Sequence, residues 1–301
     1  MGSETHLNDV PVIDFSNSNL KPGTSEWNSV KFQVQEALEK FGCFKGIFNK
    51  IHPELIKATF AATEELFNLP MQTKLLNFSP KSGHGYIKKS PILPLFESFG
   101  FDHADIPEET EKMTNNLWPQ GNPDFSKTIQ TFSKQVSQLE QIVKRMVVES
   151  LGLEKYMDEI MNATYYLLRV GIYAHKDPNT ITILNQNADG LEIQTKDGEW
   201  IQVKASPDSF ILLVGESFHA WTNGRVHTPY HRVLMTGKEA RYSTGLFATF
   251  KAGCMIKPPE ELVDDDHPLL YEPFDYGEFG TFRDREYPKG ADISLKAYCG
   301  L

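Results

Sequence analysis

The chain has 301 residues, enough for one large domain, and its 40% apolar and 23% charged content is ordinary for a soluble globular protein. A formal net charge of −10 argues against nonspecific binding to nucleic acid or to an anionic membrane, and no apolar run approaches the length of a membrane span. Three sparse cysteines without a CxxC spacing (Cys43, Cys254, Cys299) and a polar start, MGSETHLNDV, point to reduced thiols in a cytoplasmic protein.

In chain order, Val10–Phe15 reads as a short edge strand, followed by a polar loop with Pro22-Gly23. Val30, Val34, Leu38 and Phe41 recur at helical spacing, so a helix is predicted from Glu26 to Phe41, ended by Gly42. Phe44–Phe48 reads as a strand. A second helix begins at Pro53 and stops at Leu69-Pro70. The stretch Gly83–Gly100, rich in Gly, Pro and aromatics, has no period and is expected to be an irregular lid over a site. The longest periodic signal lies between Pro123 and Gly152, where Ile129, Phe132, Val136, Leu139, Val143 and Met146 step by three and four. It predicts a long scaffold helix without chemistry of its own. A short helix, Lys155–Met161, follows.

Beyond Thr164, short apolar runs alternate with turn signals: Tyr165–Val170, Thr180–Leu184, Leu191–Thr195, Trp200–Val203, Phe210–Val214, Arg232–Met235 and Tyr242–Phe250. Asp197-Gly198 and Asn223-Gly224 mark tight turns. The expected architecture is mainly β with α: a double-stranded β-helix, or jelly roll of cupin type, backed by helices. One structural unit is expected over 1–301, with a mostly helical part at 1–160, the jelly-roll core at 161–256 and a surface-wrapping tail at 257–301.

The chemistry centres on YAHKDPNTITIL, Tyr173–Leu184. On a strand, His175 and Asp177 point to the same side. His231 follows Asp177 by 54 residues, and Arg241-Tyr-Ser243 begins ten residues beyond it. Two histidines and one carboxylate, with further positions open, suit Fe(II) and could also hold zinc in a metal-assisted hydrolase. A guanidinium fork beside a serine hydroxyl suits a carboxylate. The plain alternatives are a hydrogen-bonded core histidine, a surface arginine and a strand serine.

HxD, a distal His231-Arg-Val, and Arg241-Tyr-Ser243, in that order, resemble the plant 2-oxoglutarate/Fe(II)-dependent dioxygenases. PVIDF at Pro11–Phe15, KFGCF at Lys40–Phe44 and LFNLP at Leu66–Pro70 extend the resemblance over nearly the whole chain. GHGYIKKSPILPLFESFG at Gly83–Gly100 is most similar to the clade of glucosinolate side-chain-modifying dioxygenases. The resemblance implies Fe(2+) held by His175, Asp177 and His231, with His219 and His227 as rivals lacking the following Arg-Val. It implies 2-oxoglutarate held by Arg241 and Ser243, with O2 as oxidant and ascorbate as reductant. The expected reaction is hydroxylation, desaturation or dealkylation of a small specialised metabolite or hormone, with 2-oxoglutarate decarboxylated to succinate. Tyr86, Phe96, Phe247 and Phe250 are the candidate substrate-facing residues, each equally readable as core. A monomer with a small-molecule substrate, without nucleic-acid or membrane partners, is expected.

One departure stands out. Leu167-Leu-Arg-Val170 runs directly into Gly171-Ile-Tyr-Ala-His175, where the family has about a dozen further residues, roughly two strand lengths at most. The absent piece normally carries a tyrosine that binds 2-oxoglutarate. An alternative is therefore a weakly active or inactive member that binds ligand without turnover. A third reading is an oxidase of the same fold that uses no 2-oxoglutarate.

Overall fold

The computed structural model describes residues 9–81, 83–88, 97–171, 176–206, 208–234, 240–286 and 292–301. Two of the candidate site residues, Phe96 and His175, lie outside them.

The first half is helical around a few strands: β1 (Val12–Asp14), α1 (Ser25–Lys40), β2 (Cys43–Ile47), α2 (Pro53–Phe67), α3 (Met71–Lys74), β3 (Phe99–Asp102), α4 (Pro107–Leu117), α5 (Pro123–Ser150) and α6 (Met157–Asn162). Local chemistry sets the helix ends. Thr24 Oγ1 accepts the Trp27 amide at the start of α1, and Asn122 Oδ1 accepts that of Phe125 at the start of α5. Gly152, at φ +69°, ends α5 in the left-handed region where a side chain would be strained. The second half runs β4 (Thr164–Val170), β5 (Ile181–Gln186), β6 (Leu191–Gln194), β7 (Trp200–Val203), β8 (Ser209–Val214), α7 (Glu216–Trp221), β9 (His231–Val233), β10 (Ser243–Phe250), β11 (Met255–Ile256), β12 (Phe274–Asp275), α8 (Tyr276–Glu286) and α9 (Leu295–Cys299).

The strands form a seven-stranded sheet of order β1-β2-β8-β5-β10-β4-β3 and a three-stranded sheet of order β7-β6-β9. Among the described residues only β1 joins its neighbour in parallel; the other pairs are antiparallel. Alternation along each strand divides the molecule into two cores. Ile181, Ile183, Leu246, Ala248 and Phe250 face the helices, where they join Ile129, Phe132 and Val136 of α5. Leu184, Ile211 and Leu213 face the other way, against Leu191, Ile193 and Val203 of the smaller sheet. Cys43 lies in this inter-sheet core, and burial pushes its thiol up to about 12, the state of an inert packing residue.

Three sequence expectations change. The stretch around Gly83–Gly100 is not irregular throughout: Ile87 bridges to Ser98 and β3 begins at Phe99. Three helices ahead of the tail, α3, α4 and α7, escaped the reading. The tail is not a plain surface wrap, because it folds into β12, α8 and α9 and buries Phe279 and Leu295 almost completely.

Candidate active site

Asp177 and His231 come together from opposite sheets. Asp177 stands just before β5, and His231 opens β9 opposite Ile193 of β6. Both are about 2% exposed, and Oδ1 of the aspartate lies 3.9 Å from Nε2 of the histidine. A divalent ion with bonds of about 2.0–2.2 Å reaches both atoms across such a gap. Among the described residues no third His, Cys, Asp or Glu joins them.

Each is braced from outside. Thr182 Oγ1 donates to Asp177 Oδ2 at 2.6 Å, orienting the carboxylate. The Asp177 carbonyl accepts the amide of Glu216 at 2.7 Å, and Ser217 Oγ donates to the Pro178 carbonyl at 2.5 Å. Glu216 is itself buried, and both its oxygens are engaged by the C-terminal segment. Oε1 accepts the Leu295 amide at 2.9 Å, and Oε2 accepts Arg283 Nη1 at 3.2 Å. Burial raises the Glu216 carboxyl above its ordinary range, against the pull of the Leu295 amide and Arg283. On β9, Arg232 points outward, pairs with Glu192 at 2.7 Å and lies over the Trp200 ring at 3.9 Å. The arginine of the His-Arg-Val triplet thus pins the strand that presents His231.

The rival histidines are held elsewhere. His219 Nδ1 donates to the Val226 carbonyl at 2.6 Å within the α7 turn. Burial lowers its pKa and takes that of His227 to about 4, so both stay neutral. The His227 amide is bonded to the Leu38 carbonyl, at the end of α1.

Arg241 and Ser243 stand where β10 begins. Arg241 Nη2 donates to Gln186 Oε1 at 2.5 Å, and Gln186 Nε2 donates to the Val203 carbonyl at 3.2 Å. Burial lowers the guanidinium to about 10. Its Nε and the Ser243 hydroxyl are buried with no hydrogen-bond partner among the described residues. Each such atom costs free energy unless an acceptor completes it.

The aromatic candidates separate. Phe247 faces the inter-sheet side, and the Arg169 guanidinium lies 5.8 Å from its ring centroid. Phe250 does not: three residues on, it falls on the helix face of β10, among the helix-side core residues and near Tyr276. Tyr86 packs at a tilt against Phe99 and donates its hydroxyl to Glu97 at 2.5 Å, and Lys74 Nζ donates to the same carboxylate at 2.7 Å. Thr182, Gln186, Arg169 and Glu216 were missed in the sequence. For Gln186 and Thr182 the sequence shows only that both share the strand face of Leu184 in the run after Asp177, not what either side chain holds.

Two family models match: the 2OG-Fe(II) oxygenase superfamily over residues 157–249, and the N-terminal region described for a non-haem dioxygenase in morphine synthesis over residues 10–121. A probable 2-oxoglutarate-dependent dioxygenase AOP1.2 of Arabidopsis thaliana is 47% identical, covering 97% of this chain and 96% of its own length. The crystal structure of a dioxygenase for auxin oxidation in rice is 26% identical, with a TM-score of 0.79 over 96% of this chain and 98% of that one. A dioxygenase for auxin oxidation from Arabidopsis thaliana, solved with 2-oxoglutarate, shares the fold at 24% identity, with a TM-score of 0.77 over 86% of this chain and 99% of that one.

Proposed function

This chain belongs to the 2OG-Fe(II) oxygenase superfamily, and from that premise we propose that it oxidises a small specialised metabolite or hormone at the site between its two sheets. We further propose that these sheets form the core of a double-stranded β-helix. His175, Asp177 and His231 are the proposed ligands of Fe(II), and Arg241 and Ser243 the proposed anchors of the distal carboxylate of 2-oxoglutarate. The unpartnered, buried Ser243 hydroxyl and Arg241 Nε carry the cosubstrate assignment, because an anion between them would satisfy both.

When bound, Fe(II) with 2-oxoglutarate and O2 supplies C–H oxidation coupled to release of succinate and CO2, with ascorbate as reductant. The chain's own contributions are binding and orientation. Thr182 fixes which oxygen of Asp177 faces the ion, and the Arg232–Glu192–Trp200 cluster fixes β9. Gln186 aims the Arg241 fork, and Phe247 gives the site an apolar wall that excludes water.

The proposal includes weakened cosubstrate binding. The resemblance implies a tyrosine on a segment absent between Val170 and Gly171. In keeping with this, β9 pairs with β6 and with no other strand among the described residues. One hydrogen bond to a charged group is worth roughly 1.5–3 kcal/mol, about one to two decades of affinity. Titration of 2-oxoglutarate into anaerobic Fe(II) protein, with and without a family-like segment inserted there, should give tighter binding with the insertion. Equal, tight binding in both would make the shorter connection functionally silent. Succinate release with Fe(II) and ascorbate at background level, despite metal binding, would favour the member that binds without turnover.

A further inference from the structure

A cavity of about 140 Å³ lies among residues that pack against the helix side of the large sheet. Tyr156 and Glu159 at α6, Trp221 at the end of α7, Phe250 at the end of β10 and the stretch from Cys254 to Glu260 enclose it. No residue of the proposed iron or 2-oxoglutarate sites lines it. Phe250, which turns away from the site between the sheets, has its open side here.

The walls are held apart from behind. The Trp221 ring is stacked on that of Phe218 with centroids 5.9 Å apart, and the Phe250 ring meets that of Tyr276 edge-on at 6.1 Å. Pro258 and Pro259 are both buried, and their fixed φ stiffens the opposite wall. The space therefore does not close by a ring swinging inward. A cavity of about 150 Å³ accepts a benzene ring, so a group of that size fits.

The charge around it is lopsided. Three charged residues line the cavity: Glu159, Lys257 and Glu260. Lys257 Nζ lies 3.4 Å from Glu260 Oε1, which cancels that pair, and Lys155 just outside is taken by Glu261. Glu159 has no ion pair among the described residues. The Cys254 thiol in the wall is raised above its ordinary range, first by burial and then by the carboxylates of Glu159 and Asp275, so the field there is negative. Aromatic faces beside an uncompensated carboxylate attract a cation, and the same carboxylate repels an anion.

We propose that this cavity binds a small organic ammonium ion with a ring-sized apolar body, the body against Trp221 and Phe250 and the charge at Glu159. The site stands apart from the oxygenase reading, and its occupancy needs neither metal nor 2-oxoglutarate.

The probes are benzylamine, protonated at pH 7, its neutral counterpart benzyl alcohol and the anion benzoate, each titrated by calorimetry into the full chain. Benzylamine is expected to bind at least about fivefold more tightly than either. Glu159→Gln, at an exposed position, should remove that preference, and Asp158→Asn, exposed on the same helix but outside the cavity, should keep it. Alkylation by iodoacetamide, read at each cysteine by mass spectrometry, locates the ligand. Saturating benzylamine should slow the reaction of Cys254 severalfold and leave that of Cys299 unchanged, because Cys254 lines the cavity and Cys299 does not. Benzylamine binding no more tightly than benzyl alcohol would overturn the proposal. So would a preference that survives Glu159→Gln, an equal loss in Asp158→Asn, or binding that leaves Cys254 as reactive as before. In that last case, competition by Ni(II) would assign the amine to the Asp177 carboxylate instead.

Discussion

The two faces of β10 are made of one sequence and do opposite work. Leu246, Ala248 and Phe250 meet α5 and its neighbours in a closed apolar core. On the other face, Ser243 keeps a buried hydroxyl without a partner among the described residues, and Phe247 sits beside a guanidinium. The helix face is apolar at these three positions and keeps one buried hydroxyl, Thr244 Oγ1, without a partner among the described residues, whereas the inter-sheet face pairs such a hydroxyl, Ser243 Oγ, with the guanidinium of Arg241 at the start of the same strand. The first arrangement maximises stability. Under the proposed function, the second gives up a little stability so that an anion would find donors already desolvated.

Substitutions on each face should break this contrast in opposite ways. The largest effect is expected from Asp177→Ala on the site side. Turnover should fall to background and Fe(II) binding should be lost, while circular dichroism and thermal midpoint stay near those of the parent chain. His219→Ala and His227→Ala should keep their iron, as titration with ferrous ion under nitrogen would report. If His227→Ala lost iron and His231→Ala did not, the ligand assignment would be wrong.

Next comes Leu246→Ala on the helix face, with a cost of about 2–5 kcal/mol in urea unfolding, as for a large side chain deleted from a closed core. Its metal and 2-oxoglutarate affinities should hold wherever the protein is folded. Smaller effects separate stability from binding on the inner face. Arg241→Lys keeps the charge and loses the fork, and should weaken 2-oxoglutarate binding by about one to two decades with iron binding retained. Ser243→Ala should weaken it by about tenfold without lowering stability, because it removes an unpartnered buried hydroxyl. Loss of stability in Ser243→Ala comparable to that of Leu246→Ala would erase the distinction between the faces.

The smallest effect is with pH. The folded pKa of His227 is depressed to about 4 by burial, from an ordinary 6.5, and that of His219 is also lowered. Between those values the unfolded chain binds more protons than the native one, so stability is fully present above pH 6.5 and declines as pH falls toward 4. Urea midpoints at pH 7, 6 and 5 should show the decline, and His227→Gln should flatten it. An unchanged slope in that variant would assign the decline to other groups.

Much of this was legible where periodicity or spacing carries information. The α5 stripe, Pro53 opening α2 and the strand-and-turn rhythm after Thr164 follow from local rules that tertiary contacts did not override. The site was legible only as residue types in order. Thr182 and Gln186 read as strand formers, since nothing local says that one will orient a carboxylate and the other a guanidinium. The short helix α7 was masked because most of its residues are buried, which leaves no amphipathic stripe to detect. The helices of the tail were missed because a Pro-rich, acidic stretch precedes them and α8 has little amphipathic pattern.

Glu216 gives that tail a further significance. Its carboxylate is satisfied by Arg283 and the Leu295 amide, while its own amide holds the carbonyl of Asp177. Detaching the segment would leave an uncompensated buried charge next to the residue that carries Asp177. Under the proposed function, docking of the last helices and loading of the site would be linked equilibria, and linkage runs in both directions. A protease that samples the transiently detached segment would read out occupancy at a distance, cutting the loaded protein more slowly than the empty one.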